Sequence, residues 1–514
     1  MPLLDPLRSA PRGALAAGAV AAVLALSACG GGQADGGSLQ PVRGGTLNVL
    51  RTYPFEGFEL DKESLNATYL FSGAVLEPLL RADPDGRSLR PGLASSWSFG
   101  HGNRTLTLKL DPKAAFSDGK PVTAADVAFS IATWKAGPNY GATYSVIRST
   151  KTIDDRTIAL ELSEPDTSLP SFLAWATAGV VPKDFGGRPA KQFWQKPVGA
   201  GPYTVSDWST NGKVVLTRNT HYYRAGLPYT DQVVSTYAGD QNSIGLQLAS
   251  GQADLANEIF PVLAATLPKK QINSTLNHMT SVLLMNTKDP ALADVKVRQA
   301  IGYAIDYASV VGSSLKGYGA VPTGALPTNV ANWAPPSRPY FSHDAAKAKA
   351  LLAGASRRPA TLTMAYPNDP STSLMAQIVQ QNLKDLGITV NLQAADAAGN
   401  YATVSGGKYQ LALFAYNAIS PDASDPVVYL GATGTMFTGH PVGAIDAALG
   451  DYRRTTDAKA KQAAITKVQD ALLEEAPFVA LGQGAQLVAQ RTAVHGLRQT
   501  PWGGYDLATI WKNK

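Results

Sequence analysis

One cysteine in 514 residues constrains this chain more than any other feature. No intramolecular disulfide can form, so the fold has to rest on buried apolar surface. A chain this long has enough of it, because the fraction of surface buried on folding rises with size. The length corresponds to two or three domains at roughly 100–200 residues each.

The position of that cysteine says where the protein works. Arg8 and Arg12 precede an apolar run from Ala14 to Leu26, small Ser27 and Ala28 follow, and then comes Cys29. Charged, apolar, small is the order of a secretory signal. The run is shorter than the roughly 20 residues that span a bilayer as a helix. Leu26-Ser27-Ala28-Cys29 resembles the bacterial lipobox, whose cysteine carries lipid and becomes the mature N-terminus. The expectation is a signal peptide over 1–28, lipidation at Cys29 and a flexible glycine-rich tether over 29–43. The address is the extracytoplasmic face of a bacterial cell membrane, in a periplasmic space or at the cell surface. A buried structural role for Cys29 fits poorly, since cleavage leaves it at a chain end.

The net charge is +6 with only 16% charged residues, and Lys and Arg are scattered. Nucleic acid is therefore not an expected partner. The body mixes strands and helices. Thr46 to Leu50, Thr105 to Leu110 and Thr157 to Leu162 alternate as half-buried strands. Thr123 caps a helix with Asp126 reaching back, and Val127, Ile131 and Trp134 follow at helical spacing. Asp294 caps another, with Val297, Ile301, Ile305 and Ala308 expected on one face. Met375 to Leu386 is a helix stopped by Gly387, with Ile388 to Leu392 as the strand after it. A last helix is expected over Ala458 to Leu473. These alternations predict an α/β fold.

Catalytic patterns are missing. There is no His-Glu-x-x-His, no Gly-x-Ser-x-Gly and no phosphate loop; Ser405-Gly406-Gly407-Lys408 ends in Tyr409 where a hydroxyl residue is needed. None of the six histidines pairs with another at ligand spacing, so neither a local metal site nor a cofactor is expected. Asp154-Asp155 and Glu474-Glu475 read as solvated carboxylates. Aromatics in loop-like positions are the stronger signal: Tyr53, Phe55, Phe58, Tyr140, Tyr144, Trp175, Tyr416 and Trp502. Such residues, with a few polar groups, suit a ligand cleft, and each singly also suits a core.

Several blocks, in order, resemble extracellular solute-binding protein family 5, the dipeptide/oligopeptide-binding proteins of ABC importers. Gly44-Gly45-Thr46-Leu47 is similar to the family's opening strand, and Leu76-Glu77-Pro78-Leu79-Leu80 with Pro91-Gly92-Leu93-Ala94-Ser95-Ser96-Trp97 to its next block. Phe116-Ser117-Asp118-Gly119-Lys120-Pro121-Val122-Thr123-Ala124-Ala125-Asp126-Val127 is close to "FxDGxPxTAxDV". Gly199-Ala200-Gly201-Pro202-Tyr203 and Asp294-Val295-Lys296-Val297-Arg298-Gln299-Ala300 continue the match. These blocks read as scaffold, with Arg298 and Asp306 expected to tie one helix to its neighbours.

The resemblance implies a periplasmic-binding-protein-like, two-lobed α/β fold with an extra domain and a hinged cleft. Domain I would comprise 44–83, 197–290 and 490–514, domain II 84–196 and domain III 291–489, with hinges near 285–291 and 488–491. It implies a binding protein and no enzyme, a small molecule or short peptide as ligand, ABC permease transmembrane subunits as partners, and a monomer. In peptide-binding members an aspartate pairs with the ligand's α-amine, and the matching position is Asp422, whereas Asp425 serves the turn. Tyr53, Phe55, Tyr416, Asn417 and Trp175 are the further expected ligand residues. An oligosaccharide or another polar solute is the alternative ligand, and an anchored extracellular hydrolase the remote alternative.

Overall fold

A computed structural model of the chain describes residues 40–59, 66–138, 141–418, 420–430, 443–501 and 504–513. The expected signal peptide, Cys29 and most of the tether lie outside the described residues, as do Tyr140 and Trp502; of Asn417 only the backbone is described. Among the described residues no helix is long and apolar enough to cross a membrane.

Alternating segments became strands because each has one face to bury. Fourteen of them organise the fold: β1 Thr46–Arg51, β2 Ala94–Gly100, β3 Thr105–Leu110, β4 Ile147–Asp154, β5 Thr157–Leu162, β6 Tyr203–Trp208, β7 Lys213–Arg218, β8 Gln232–Tyr237, β9 Leu255–Asn257, β10 Ile272–Met285, β11 Thr361–Pro367, β12 Thr389–Ala395, β13 Leu411–Asn417 and β14 Phe478–Gln490. The main sheet runs β12-β11-β13-β10-β14-β9-β1-β8-β7-β6. A separate antiparallel sheet runs β2-β3-β5-β4. The architecture is the expected mixed α/β, two-lobed fold.

Long strands β10 and β14 bind the two ends of the main sheet together. Ile272–Leu276 of β10 pairs with Ala489–Ala485 of β14, and β14 pairs onward with β9. From Thr280 the partner of β10 is Gln483, and its other edge takes β13 from Met279 to Met285. The register breaks between Leu276 and Thr280. The pairing of these strands therefore changes at 277–279, opposite Gln483-Gly484, while hinges were expected near 285–291 and 488–491.

Apolar residues separate into distinct buried clusters. One is drawn from Val282 to Leu481, around β10, β11 and β13. A second, from Leu79 to Ala200, surrounds the four-stranded sheet. Two more lie on opposite faces of β1: Leu47 and Val49 join the cluster of Phe55, Phe71 and Tyr203, while Leu50 joins that of Ile244 and Leu248. Alternation along β1 thus feeds two cores, the period-2 rule of a strand buried on both faces.

Helices start and stop where side chains cap them. In α1 (Asn66–Val75) the carbonyl ends meet the Gly199-Ala200-Gly201 block; a Cβ at either glycine would collide with the Val75 or Ala74 carbonyl oxygen. In α2 (Ala124–Lys135) the expected box is present: the Asp126 amide donates to Thr123 Oγ1 at 3.4 Å and the Thr123 amide to Asp126 Oδ2 at 2.8 Å. Asp294 caps α3 (Val295–Ala304), but Ile305 is extended and Asp306 caps a new short turn, so Ala308 is not on the expected face. Arg298 does tie α3 to its surroundings, donating to the Leu292, Ala293 and Glu475 carbonyls at 2.8, 2.9 and 2.6 Å. Asp369 caps α4 (Pro370–Asp385), which begins before Met375 and ends ahead of Gly387 at φ +90°. Further helices are α5 (Ser424–Leu430), α6 (Gly443–Arg454) and α7 (Ala458–Glu475).

Candidate ligand-binding cleft

Parallel strands β8, β1 and β9 end on the same side of the main sheet. In open α/β sheets the carboxyl ends of such strands are where ligands bind. Thr52 and Tyr53 follow β1, and Glu258 follows β9. Thr52 Oγ1 donates to the Glu258 carbonyl at 3.1 Å and to the Asn257 carbonyl at 3.4 Å, pinning the two strand ends together. Glu258 has φ +55°, in the left-handed region that a residue with a side chain rarely adopts.

Buried polar groups gather at this edge. Asn257 is 1% exposed, and neither its amide nitrogen nor its amide oxygen has a partner among the described residues. The Tyr505 hydroxyl is in the same condition. Beside Asn257 in the sheet, Arg51 is fully buried; its Nη2 donates to the Thr210 and Gly212 carbonyls, each at 2.9 Å. Burial lowers the Arg51 guanidinium to about 10. Burial also pushes the Tyr53 phenol up, and the carboxylates of Glu258 and Asp369 push it further. Asp369 belongs to the other lobe, so carboxylates of both lobes are within electrostatic reach of Tyr53.

The expected site residues divide into those at the cleft and those in cores. Tyr53 is at the cleft edge just described. Trp175 packs on Tyr69, ring centroids 4.7 Å apart, and the pair lines a cavity of about 150 Å³. Arg81, Arg90, Arg224 and Arg498 also line it, with Asp506 the one lining carboxylate among the described residues, while Glu77 and Asp83 pair with Arg81 and Arg90. Asp506 holds Arg81 at 2.7 Å and Arg224 at 3.3 Å. Phe55, also expected at the ligand, is fully buried against Phe58, Phe71 and Trp208. An aromatic after a strand has the same composition signature whether its loop turns in or out.

The loop after β13 does different work from that expected of it. Tyr416 is buried and donates its hydroxyl to Asp425 Oδ1 at 2.7 Å, while the Ser420 amide donates to Asp425 Oδ2 at 2.7 Å. Asp425 thus serves the turn, as expected. Asp422 is 2% exposed. Its Oδ1 accepts from the Ser424 amide at 2.9 Å and hydroxyl at 2.6 Å; its Oδ2 accepts from the Tyr452 hydroxyl at 2.6 Å and from Asn332 Nδ2 at 3.5 Å. A carboxylate has about four lone-pair sites, and all four are in use. Asp422 was expected to pair with a ligand's amine; in this structure its oxygens are held by its own lobe.

The lobes touch directly near this loop. Thr167 donates its amide to the Arg453 carbonyl at 2.9 Å and its hydroxyl to the Thr455 carbonyl at 2.6 Å. Lys461, 6% exposed, donates to the Thr167 carbonyl at 3.4 Å and lies 4.4 Å over the Tyr452 ring. Burial pulls the Lys461 ammonium down, while Asp422 and Asp166 push it back up. Glu258, Asn257 and Lys461 were missed by sequence reasoning. The one available signal was polar residues directly after a short apolar strand.

Known proteins match this arrangement over most of its length. The model of the bacterial extracellular solute-binding proteins, family 5 (middle), matches residues 88–437. The chain belongs to that family. One relative, the probable D,D-dipeptide-binding periplasmic protein DdpA of Escherichia coli K12, is 27% identical over 86% of this chain and 88% of its own. The glutathione-binding protein GsiB of Pectobacterium atrosepticum is 27% identical over 80% and 83%. Among solved structures, the binding protein AgaA from A. tumefaciens R10, in complex with agropinic acid, superposes with a TM-score of 0.79 at 25% identity, covering 91% of this chain and 99% of AgaA. The substrate-binding protein CtaP of Listeria monocytogenes shares the fold, with a TM-score of 0.81, 24% identity and 92% and 100% coverage. Family 5 members are binding proteins of transport systems and not enzymes, so the missing catalytic motifs fit, and the hydrolase reading is set aside.

Proposed function

We propose that this family 5 chain captures short peptides outside the cytoplasm and delivers them to the permease of an ABC importer. Lipid on Cys29 holds it at the membrane, and the monomer works by closing its lobes. The domain division is domain I at 44–83, 197–290 and 490–514, domain II at 84–196 and domain III at 291–489. The changeover within β10 and β14 supplies the bending points.

The observation that supports this reading is the edge of β1 and β9, where buried Asn257 has polar atoms without partners among the described residues; Tyr53, just after β1, is within electrostatic reach of Glu258 and of Asp369 in the second lobe. Polar atoms buried in a native fold are normally satisfied, so such an edge fits a ligand's backbone amides. Peptide is the class named for DdpA and GsiB, and that naming supports it here. The arginine wall beside Trp175, with the likeness to the agropinic acid complex, favours a carboxylate-bearing polar solute as the second reading.

Native mass spectrometry of the soluble form lacking residues 1–29 tests the choice. The peptide reading expects co-purified masses that fragment as di- to oligopeptides. A saccharide or a single sugar–amino-acid conjugate would overturn it.

A further inference from the structure

We propose that the chain holds a second small-molecule site, separate from the ligand cleft, in an aromatic cavity between α2 and the turn Lys183–Gly187, and that this site takes an uncharged apolar molecule of two or three rings. The cavity measures about 480 Å³. That is about three times the ~150 Å³ apolar cavity that holds benzene in a protein interior. It also falls within the range of small-molecule pockets.

Helix α2 builds one wall because it has two apolar faces. Val127 and Ile131 sink into the core around the four-stranded sheet. Phe129, Ala132, Thr133 and Ala136 recur at spacings of three and four and line the cavity. Ala132 and Ala136 are exposed, so the cavity opens to solvent along this face. The turn Lys183–Gly187 supplies a second wall. Asp184 and Phe185 there have φ of +51° and +52°, a left-handed conformation that a bulky side chain rarely adopts. The Phe185 ring lies edge-on to Phe129, centroids 5.0 Å apart, and to Trp194 at 5.8 Å. Trp134 and Tyr144, centroids 5.3 Å apart, add two further rings.

Polar side-chain atoms along these walls are already engaged by the protein. Trp134 Nε1 donates to the Gly179 carbonyl at 3.2 Å, and Thr133 Oγ1 donates to the Phe129 carbonyl at 3.1 Å. The Tyr144 and Thr177 hydroxyls bond each other at 2.9 Å. What they leave to an occupant is ring faces and methyl groups, so it is held by stacking and apolar burial. Glu59 is the one charged lining residue among the described residues, and its carboxylate disfavours an anion. The site is distinct from the cleft. Its described lining comes from residues between Glu59 and Trp194, with none from the second lobe. The segment 174–179 divides it from the Trp175 cavity: Ala174, Trp175 and Ala176 line that one, and Thr177 and Gly179 line this one.

N-phenyl-naphthylamine, uncharged and fluorescent in apolar surroundings, is the probe. Anilinonaphthalene sulfonate, the same ring system with an added sulfonate, is its charged control. Both are titrated into the purified wild type, Ala132→Phe, Phe185→Gly and Trp175→Ala, and thermal melts check folding. Ala132→Phe fills the cavity from an exposed helix position. Phe185→Gly removes a wall ring and suits a φ of +52°, so it keeps the test open if the first variant does not fold. The wild type is expected to bind the uncharged probe saturably and about tenfold more tightly than the sulfonate, and both cavity variants to lose about tenfold in affinity for it. Trp175→Ala, on the other side of the dividing segment, is expected to keep it. A wild type without saturable binding, or one that binds the sulfonate equally well or better, overturns the assignment. So does unchanged affinity in a folded cavity variant, or a loss confined to Trp175→Ala.

Discussion

Two polar regions border the same cleft and are built in opposite ways. In the loop after β13, the carboxylates of Asp422 and Asp425 have hydrogen-bond donors from their own lobe on every oxygen. At the ends of β1 and β9, Asn257 and Tyr505 bury polar atoms without partners among the described residues, and Glu258 sits in a costly backbone conformation. Buried polar atoms that are satisfied stabilise a fold, and those left open lower its stability unless something else completes them. The first region is organised for folding. Under the proposed function, the second is completed by what enters the cleft.

The largest expected effect separates the two directly. Asp422→Ala strands the Tyr452 hydroxyl, both Ser424 donors and the buried Lys461 charge, and should cost about 3–5 kcal/mol in chemical denaturation. A loss under 1 kcal/mol would break the comparison, by showing that the network contributes little.

His278 joins the comparison from the changeover between lobes. It lies in the register break of β10, bonds to the Asn329 carbonyl at 3.2 Å and also to the Ser420 backbone at the Asp422 loop. Burial, the main cause, holds its imidazole at about 4 against an ordinary 6.5. The folded state therefore binds this proton less readily than the unfolded one. The contribution is present above pH 6.5 and is lost as pH falls toward 4, amounting to about 3 kcal/mol. Urea titrations across that window should show this slope in the wild type and a flatter one in His278→Asn. Equal slopes would remove His278 as its source.

The smallest expected effect is on stability at the open edge. Asn257→Ala deletes two buried polar atoms that have no partners among the described residues, so its stability should change by less than about 1 kcal/mol. Its affinity for trialanine should fall several-fold. A large loss of stability with unchanged affinity would place Asn257 with the folding groups and dissolve the contrast.

Legibility in the sequence followed how local each feature is. The Thr123–Asp126 box, the strands Thr105–Leu110 and Thr157–Leu162 and the Gly387 stop were readable because neighbours a few residues apart decide them. The α3 helix was read too long because Ile305 continued its apolar spacing, while Asp306 captured the next turn as its own cap. The site was less legible. Tyr53 and Trp175 were found as aromatics in loops, and Phe55 had the same signature but turned into the core. Asp422 matched its family position, yet its chemistry depends on Tyr452 and Lys461, residues far along the chain.

By itself, the sequence determined the α/β class, the family blocks, the absence of disulfides and the local caps, because periodicity, turn chemistry and cysteine count act within short windows or by simple counting. Only the tertiary structure decided which carboxylate is already satisfied and which edge remains open. Hydrogen bonding and burial are properties of groups brought together from distant strands, and the same aspartate or glutamate is a scaffold or a ligand group according to what folds against it.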